Sequence, residues 1–251
     1  MKSLILCSFL ALAAVLSARA GEIRVAAAAS LTEALTEIAA AYEKDSGNKA
    51  TPVFAGSNVL VRQIQEGAPI DVFISADEAN MDKATKANLV KEVAPLLTNS
   101  LVIVVPSDSS AKIASAADLA SLKRISIGDP AAVPAGVYAK AWLTKAGLWE
   151  KIGPKCIASE NVRAALAAVE SGNVDAAIVY KTDAAVSRKA KVAWTVPAGD
   201  APEIIYPVAV CTESKHADGA AKFVTFLKSE KATAVFKARG FGIAQVPTGA
   251  H

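Results

Sequence analysis

The sequence has few of the side chains on which catalytic and metal sites usually depend. It contains two histidines, His216 and His251, and neither stands at a spacing from Cys, Asp or Glu that is typical of a metal site. A G-x-S-x-G motif, a P-loop and a G-x-G-x-x-G motif after the first predicted strand are all missing. These absences argue against a hydrolase or transferase, so we expect no catalytic residues, no bare metal ion and no cofactor.

Charge imbalance and aromatic content are also low. Lys and Arg together number 27 against 24 Asp and Glu, and aromatic residues make up 6% of the chain. Proteins that bind nucleic acid usually present a strongly basic surface to the phosphates. Because no basic run occurs along this chain, the composition argues against nucleic acid as a partner.

The one long apolar run lies at the N-terminus. Lys2 precedes an almost unbroken apolar segment from Leu4 to Leu16, and Ala18-Arg19-Ala20 supplies small residues at the positions that a signal peptidase reads. This pattern is typical of a secretory signal peptide and is too short for a membrane span. We expect residues 1–20 to be cleaved after Ala20 during export to the periplasm. Cleavage would leave 231 residues with 25 basic and 24 acidic side chains.

The remaining sequence predicts an α/β fold. Short apolar strands alternate with helices of about ten to fifteen residues. Two such sets are separated by two apolar strands, Leu101–Val105 and Ile204–Val210. If both strands cross between the sets, the chain forms two lobes with a ligand cleft between them. We expect lobe 1 to comprise residues 21–103 and 207–251, and lobe 2 to comprise residues 104–206.

Two cysteines, Cys156 and Cys211, remain after the predicted cleavage. In an oxidising compartment such a pair is consistent with one disulfide and equally with two buried thiols. We expect the disulfide. Because Cys156 belongs to lobe 2 and Cys211 follows the second crossing strand, the bridge would have to lie near the hinge.

The starts of four predicted helices carry small or polar residues. Two of them, Ser30-Leu-Thr-Glu33 and Gly56-Ser57-Asn58, are in lobe 1, and two, Pro134-Ala135-Gly136 and Glu160-Asn161-Val162, are in lobe 2. A helix N-terminus offers unpaired backbone N–H groups and the positive end of the dipole, so an anion can bind there without a charged side chain. Two helix starts in each lobe therefore point to an anion site in the cleft.

Each of these signals also has a purely structural interpretation. Ser30 with Glu33 has the pattern of a capping box, and Ser57 would be a good N-cap in any protein. Tyr180, at the end of a predicted strand, is consistent with a packed aromatic side chain. Three carboxylates near strand ends are explained by turns and helix caps: Asp71, Asp77 and Asp129.

Longer motifs carry a resemblance to a known family. They are Ala26-Ala-Ala-Ala-Ser30-Leu-Thr-Glu-Ala34, Phe54-Ala-Gly-Ser57, Arg62-Gln-Ile64, Asp71-Val-Phe-Ile-Ser-Ala-Asp77, Gly128-Asp-Pro130, Val133-Pro-Ala-Gly136, Tyr138-Ala-Lys140, Glu160-Asn-Val-Arg163, Ile178-Val-Tyr180 and Tyr206-Pro-Val-Ala-Val210. In this order they resemble motifs of the periplasmic molybdate-binding proteins of ABC transporters. The resemblance covers essentially the whole mature chain, and it implies the two-lobed fold of a type II periplasmic binding protein.

The resemblance also implies a ligand set made only of neutral donors. Ser30 and Ser57 match the serines that give a hydroxyl and an amide to the anion. Ala135 and Val162 match positions that give backbone N–H groups. Tyr180 matches the tyrosine whose hydroxyl reaches the ligand from the second lobe.

Two residues depart from the resembled pattern. Gly56 and Asn58 stand where serine is common in the family. They leave the donor set intact, and we expect them to alter the shape of that loop.

By this resemblance the protein is expected to capture molybdate, and also tungstate, and to deliver it as a monomer to the membrane permease subunits of an ABC importer. A site made only of donors suits a fully deprotonated dianion. Hydrogenphosphate would bring a hydroxyl that finds no acceptor there, and an unpaired buried polar group costs about 1–3 kcal/mol of binding free energy. Sulfate meets the same requirement, so a sulfate-binding protein on the same fold is the alternative. A ferric-ion site would need converging phenolates, and the four tyrosines are scattered along the chain: Tyr42, Tyr138, Tyr180 and Tyr206.

Overall fold

The computed structural model describes residues 22–245. The predicted signal peptide, residues 1–20, and the final residue, His251, lie outside this range. Within it the chain forms two β-sheets with helices packed on their faces. This is the expected α/β fold with two lobes.

Six strands of the described residues form the first sheet. They are β1 (Ile23–Ala28), β2 (Ala50–Ala55), β3 (Val72–Ile74), β4 (Val90–Asn99), β10 (Ile204–Cys211) and β11 (Gly242–Ile243). Their spatial order is β11-β4-β10-β3-β1-β2. β1 runs parallel to β2 and β3, whereas β10 is antiparallel to β3 and β4.

The second sheet takes five strands from the segment between residues 101 and 195. They are β5 (Leu101–Pro106), β6 (Ile125–Gly128), β7 (Cys156–Ser159), β8 (Ala176–Tyr180) and β9 (Ala190–Thr195). Their spatial order is β7-β6-β8-β5-β9, with β6 parallel to both of its neighbours. β5 and β8 are apolar throughout and buried, as expected for central strands of a covered sheet.

The chain passes between the sheets twice. The first passage is Ser100, the single residue between β4 and β5, and the second is residues 196–203 between β9 and β10. The two strands expected to cross, Leu101–Val105 and Ile204–Val210, therefore each lie within one sheet. The sheet boundaries fall a few residues before the expected lobe limits at residues 103 and 206.

Strand β4 is not apparent in the sequence pattern, because Pro95 interrupts it. In the structure, Glu92 of this strand adopts a positive φ of 57°. The structure places Pro95 opposite Pro207 of β10, at a shift in register. Neither proline has an N–H group, so their pairing leaves no unpaired donor inside the sheet.

The helices connect these strands and cover both sheets. They are α1 (Thr32–Ser46), α2 (Ser57–Gln65), α3 (Glu78–Lys86), α4 (Pro134–Lys145), α5 (Trp149–Ile152), α6 (Val162–Glu170), α7 (Lys181–Val186), α8 (Ala217–Leu227) and α9 (Glu230–Ala238). The predicted stripe of Leu35, Ile38 and Tyr42 on α1 is buried, and Gly47 ends that helix with φ 70°. Among the described residues, no helix has the length and apolar character needed to cross a membrane.

The predicted disulfide is wrong, because both cysteines are free. Cys156 lies on β7, an edge strand of the second sheet, while Cys211 ends β10 of the first sheet. Cys211 pairs with Val90, at the end of β4 farthest from the passage at Ser100. Burial raises the pKa of Cys156 to about 11 and that of Cys211 to about 12. The alternative interpretation, two separate thiols, is the one that the structure supports.

Candidate functional site

One small cavity lies between the two sheets, where parallel strands of each sheet reach their carboxyl ends. This is the usual ligand position in open α/β sheets. The five residues predicted from sequence all line it: Ser30, Ser57, Ala135, Val162 and Tyr180. Its volume is about 10 Å³, which holds roughly one water-sized sphere.

The cavity offers hydrogen-bond donors and no formal charge. Of the described residues, those that line it besides the five are Ala28, Ala29, Ala55, Gly56, Ala76, Val133, Pro134 and Asn161. None of them carries a charged side chain. A small anion in this position would therefore be held by N–H and O–H groups, as charge-assisted hydrogen bonds.

Ser30 lies two residues after the end of β1, in the 3-10 turn Ala29–Leu31, and is buried. Its Oγ is 3.0 Å from the hydroxyl oxygen of Tyr206. Tyr206 is not among the residues predicted from sequence, although it begins one of the resembled motifs. Because 176 positions separate the two residues, only the paired strands β1, β3 and β10 bring them together.

The capping-box interpretation of Ser30 and Glu33 is wrong. The 3-10 turn delays the start of α1 to Thr32, so Leu31 takes the N-cap position and no side chain caps the helix. Glu33 instead accepts a hydrogen bond from Arg163 at 2.9 Å. The Ser30 hydroxyl is therefore not used in capping.

Ser57 is the first residue of α2, and Gly56 takes the N-cap position. The N-cap interpretation of Ser57 is therefore also wrong. Its Oγ accepts the N–H of Ala76 at 3.0 Å, a contact that ties α2 to the end of β3. Backbone amides in the first turn of a helix have no intrahelical partner, so Ser57 brings both a hydroxyl hydrogen and an amide to the cavity.

Gly56 is a point of close approach between the two halves of the molecule. A Cβ atom at this position would lie 2.9 Å from the carbonyl oxygen of Glu160, which precedes α6. It would also lie 2.6 Å from the Oδ1 atom of Asn58. The two departures from the resembled pattern are thus coupled, since the Asn58 side chain occupies the space that a serine at position 56 would need.

The second sheet contributes backbone donors from the starts of α4 and α6. Pro134 is the first residue of α4, so the Ala135 amide belongs to the first turn and has no intrahelical acceptor. Asn161 caps α6 by accepting the N–H groups of Arg163 and Ala164 at 2.9 Å each. This cap does not engage the amide of Val162.

Gly136 sets the position of α4 on the second sheet. A Cβ atom at Gly136 would overlap the carbonyl oxygen of Gly128 at the end of β6. The helix therefore packs backbone to backbone on the strand, and the Ala135 amide is held by that contact.

The Tyr180 hydroxyl is buried and has no hydrogen-bond partner among residues 22–245. Burial raises the pKa of Tyr180 well above its usual value, so the phenol stays protonated and can donate. A buried polar group without a partner costs about 1–3 kcal/mol, and an anion oxygen in the cavity would offset that cost. Packing alone, which includes an edge contact with Tyr206 at 5.8 Å, leaves this hydroxyl unexplained.

An ion-pair cluster beside the cavity joins the two halves, and no local pattern in the sequence predicts it. Arg163 of α6 lies 2.5 Å from Glu33 of α1 and 2.5 Å from Asp183 of α7. Partial burial disfavours the charged form of Glu33, but the hydrogen bond and charge of Arg163 outweigh it and hold the pKa of Glu33 below its usual value. Complete burial raises the pKa of Asp183 to about 7, against the opposing charge of Arg163.

Two of the three carboxylates near strand ends act in a cap and a turn, as expected: Asp77 caps α3, and Asp129 accepts an N–H group of the turn that follows it. For Asp71 the expectation is wrong, because it accepts the amide of Arg24 at 2.8 Å and so joins β1 to the start of β3. In the described part of the chain, no group of three or more His, Cys, Asp or Glu residues could hold a metal ion.

Comparison with known proteins gives the family. Residues 23–242 match the family described as "Bacterial extracellular solute-binding protein". The molybdate-binding protein ModA of Escherichia coli (strain K12) is 42% identical over 231 residues, which cover 89% of this chain and 90% of that protein. ModA of Haemophilus influenzae is 38% identical over 232 residues, which cover 89% of this chain and 91% of that protein.

The solved structure of the periplasmic molybdate-binding protein of Azotobacter vinelandii superposes with a TM-score of 0.80 at 23% identity. The match covers 89% of this chain and all of that one, so the two proteins have the same fold. The chain belongs to the family of bacterial extracellular solute-binding proteins.

Proposed function

We propose that this protein captures molybdate and delivers it to the membrane permease subunits of an ABC importer. The observation that carries the proposal is the small cavity between the sheets, whose lining includes five predicted donor residues and, among the described residues, no charged side chain. Its volume of about 10 Å³ argues against an organic solute. The identity of 42% to the molybdate-binding protein of Escherichia coli supports molybdate as that ion.

The donors divide between the two lobes in this proposal. Ser30 and Ser57 give hydroxyl and amide hydrogens from the first lobe. Ala135 and Val162 give amides, and Tyr180 gives a hydroxyl, from the second. Tungstate has the same charge and tetrahedral shape, so it binds at the same place.

We extend the proposal to the processing, location and oligomeric state of the protein. The mature chain begins after Ala20, acts in the periplasm and is a monomer. Lobe 1 comprises residues 21–103 and 207–251, and lobe 2 comprises residues 104–206. Size-exclusion chromatography with light scattering and mass spectrometry of the exported protein test the monomer and the cleavage position.

Because an anion in the cavity contacts both lobes, its binding favours the closed arrangement by its differential affinity. Small-angle scattering with and without molybdate is expected to show a smaller radius of gyration with the anion. An unchanged radius would contradict a hinge motion driven by the ligand.

Calorimetric titration of the mature protein with molybdate, tungstate, sulfate and phosphate tests the ligand. We expect tight binding of molybdate and tungstate, much weaker binding of sulfate and the weakest binding of phosphate. A rise in melting temperature with the same anions provides a second measure, since only a ligand of the folded state stabilises it. Sulfate binding more tightly than molybdate would reject the assigned cargo and favour the sulfate alternative.

A further inference from the structure

A chain of hydrogen bonds runs from the passage between the sheets to the Ser30 hydroxyl. It begins at Asn99, the last residue of β4, whose Nδ2 lies 2.9 Å from Thr182 Oγ1 and 3.2 Å from the Tyr206 hydroxyl. It continues from Tyr206 to Ser30 Oγ at 3.0 Å. The direction of each bond in this chain follows from which groups can only donate.

The Asn99 amide has one orientation that satisfies its neighbours. The N–H of Ser100 donates to Asn99 Oδ1 at 2.9 Å, and a backbone N–H group cannot accept. The other side of the amide, Nδ2, is therefore the donor toward Tyr206. Tyr206 accepts that hydrogen on its oxygen and still carries its own.

The Tyr206 hydrogen is then directed to Ser30. Tyr206 is wholly buried, and burial raises the pKa of Tyr206 well above its usual value, so the phenol remains protonated. With the Asn99 side occupied by a donor, the hydroxyl hydrogen of Tyr206 points to Ser30 Oγ. Ser30 Oγ accepts it, and the one hydrogen of Ser30 is left for the cavity.

Resting on the proposed function, we propose that Tyr206 and Asn99 are positioning residues that fix Ser30 as a donor to the bound anion and thereby select fully deprotonated oxyanions. Ser57 reaches the same state by a simpler route, since its Oγ accepts the Ala76 amide at 3.0 Å. Both serines thus direct their one hydrogen to the cavity, because a donor already occupies one lone pair of each hydroxyl oxygen. The two donors differ in one respect. The donor to Ser57 is a backbone amide, which a side-chain substitution cannot remove, whereas the donor to Ser30 is the side chain of Tyr206, which a substitution can remove.

The Tyr206→Phe variant tests this role, because it removes the hydroxyl and keeps the ring contacts. Without the phenol, Ser30 Oγ is able to rotate and to accept a hydrogen from a protonated anion. We expect molybdate affinity to fall by roughly threefold to tenfold, the range of one neutral hydrogen bond. We expect hydrogenphosphate affinity to fall less or to rise, so the molybdate-to-phosphate ratio drops. A general loss of folded protein would lower both affinities together and leave the ratio unchanged.

Tyr42→Phe is the matched control. The Tyr42 hydroxyl is also buried and has no partner among the described residues, and its ring packs on Phe223 and Phe226 away from the cavity. Removal of this hydroxyl should leave affinity and selectivity at the parent values.

A second variant reverses the chain of hydrogen bonds. In Asn99→Asp a carboxylate oxygen accepts the Tyr206 hydrogen, so Tyr206 can accept from Ser30 and the Ser30 hydrogen turns away from the anion. The added negative charge also repels the anion, and Asn99→Asp in the Tyr206→Phe background measures that repulsion alone. We expect the substitution to weaken molybdate binding at least threefold more in the parent than in the Tyr206→Phe background.

The outcomes separate this inference from the proposed function. If the parent binds neither molybdate nor tungstate, the proposed function fails. If the parent binds molybdate and Tyr206→Phe retains the parent affinity and the parent molybdate-to-phosphate ratio, the positioning role is overturned while the proposed function stands. Equal effects of Asn99→Asp in both backgrounds would likewise overturn it.

Discussion

In the proposed site, the two halves of the cavity supply donors of different kinds. The first lobe contributes serine hydroxyls, each held as an acceptor by a donor behind it, Ala76 for Ser57 and Tyr206 for Ser30. The second lobe contributes the amides of Ala135 and Val162 from helix starts, together with the hydroxyl of Tyr180. The hydroxyl donors of the first lobe can therefore be removed by replacing side chains. Most donors of the second lobe are backbone amides, which change position only if the backbone moves.

The largest effect is expected from moving that backbone. In Gly136→Ala the new Cβ overlaps the Gly128 carbonyl oxygen, so α4 must shift and carry the Ala135 amide away. We expect a loss of stability of about 1–3 kcal/mol or more from overpacking, together with a loss of molybdate affinity of about a hundredfold. Denaturant titration and calorimetry measure the two effects.

Gly219→Ala is the matched control for this substitution. Gly219 also lies in a helix, α8, but a Cβ there would meet only the side chain of Ile23 at 3.7 Å. We expect unchanged affinity and a gain in stability of about 0.5–1 kcal/mol, as for a glycine replaced inside a helix. Equal behaviour of the two alanine variants would show that the backbone contact at Gly136 does not position a donor.

The serine variants test the hydroxyl donors of the first lobe. Ser30→Ala and Ser57→Ala each remove a hydroxyl and keep the amide, so each should cost about 1.5–3 kcal/mol of binding, or roughly a tenfold to hundredfold loss in affinity. Ser57→Ala should also lower stability, because the buried Ala76 amide loses its acceptor. Calorimetry across both variants, with circular dichroism as a check of the fold, measures this. Parent-like affinity in both would mean that the anion binds elsewhere.

Tyr180→Phe sharpens the comparison between the halves. Its hydroxyl has no partner among residues 22–245, so its removal leaves no protein group unpaired. We expect about a tenfold loss in affinity with stability equal to the parent or slightly higher. Thermal unfolding without anion distinguishes this variant from Ser57→Ala, and a stability loss as large as that of Ser57→Ala would show that Tyr180 has a structural role instead.

The smallest effect is expected at the ion pair that joins the halves. Since the pKa of Glu33 lies below its usual value of 4.5 in the folded protein, the pair contributes stability above pH 4.5 and loses it as pH falls through the lowered pKa. Glu33→Gln should lower stability by less than about 1 kcal/mol at neutral pH, and the difference from the parent should shrink below pH 4.5. Glu37→Gln is the control, because Glu37 pairs with Arg239 on the first lobe alone and should not affect lobe closure. A difference between parent and Glu33→Gln that does not change with pH would contradict the role of the ion pair.

The sequence predicts the parts of this fold that depend on local patterns. Strands such as Ile125–Gly128 and Ala176–Tyr180 and the apolar stripe of α1 follow from β-branched runs and helical spacing. The family resemblance places five residues that the structure brings to one cavity. The predictions fail where distant contacts override local signals, as for Ser30, whose capping pattern gives way to a contact with Tyr206.

Three further features lay beyond local patterns. Strand β4 depends on Pro95 meeting Pro207 of another strand. The role of Asn99 depends on Tyr206, on a strand far along the chain, and that of Arg163 depends on Glu33 in the opposite lobe. No spacing along the chain encodes such contacts, because the two passages between the sheets decide which residues face each other.

The two thiols make the molecule convenient for optical study. Both are protonated at neutral pH, since burial raises the pKa of Cys156 to about 11 and that of Cys211 to about 12, and a thiol reacts with maleimide dyes only as its thiolate. Cysteines introduced at exposed positions on each lobe should therefore take up a donor and an acceptor fluorophore while the native pair stays unlabelled. The wild-type background can then show whether single molecules open and close as the proposed anion arrives and leaves.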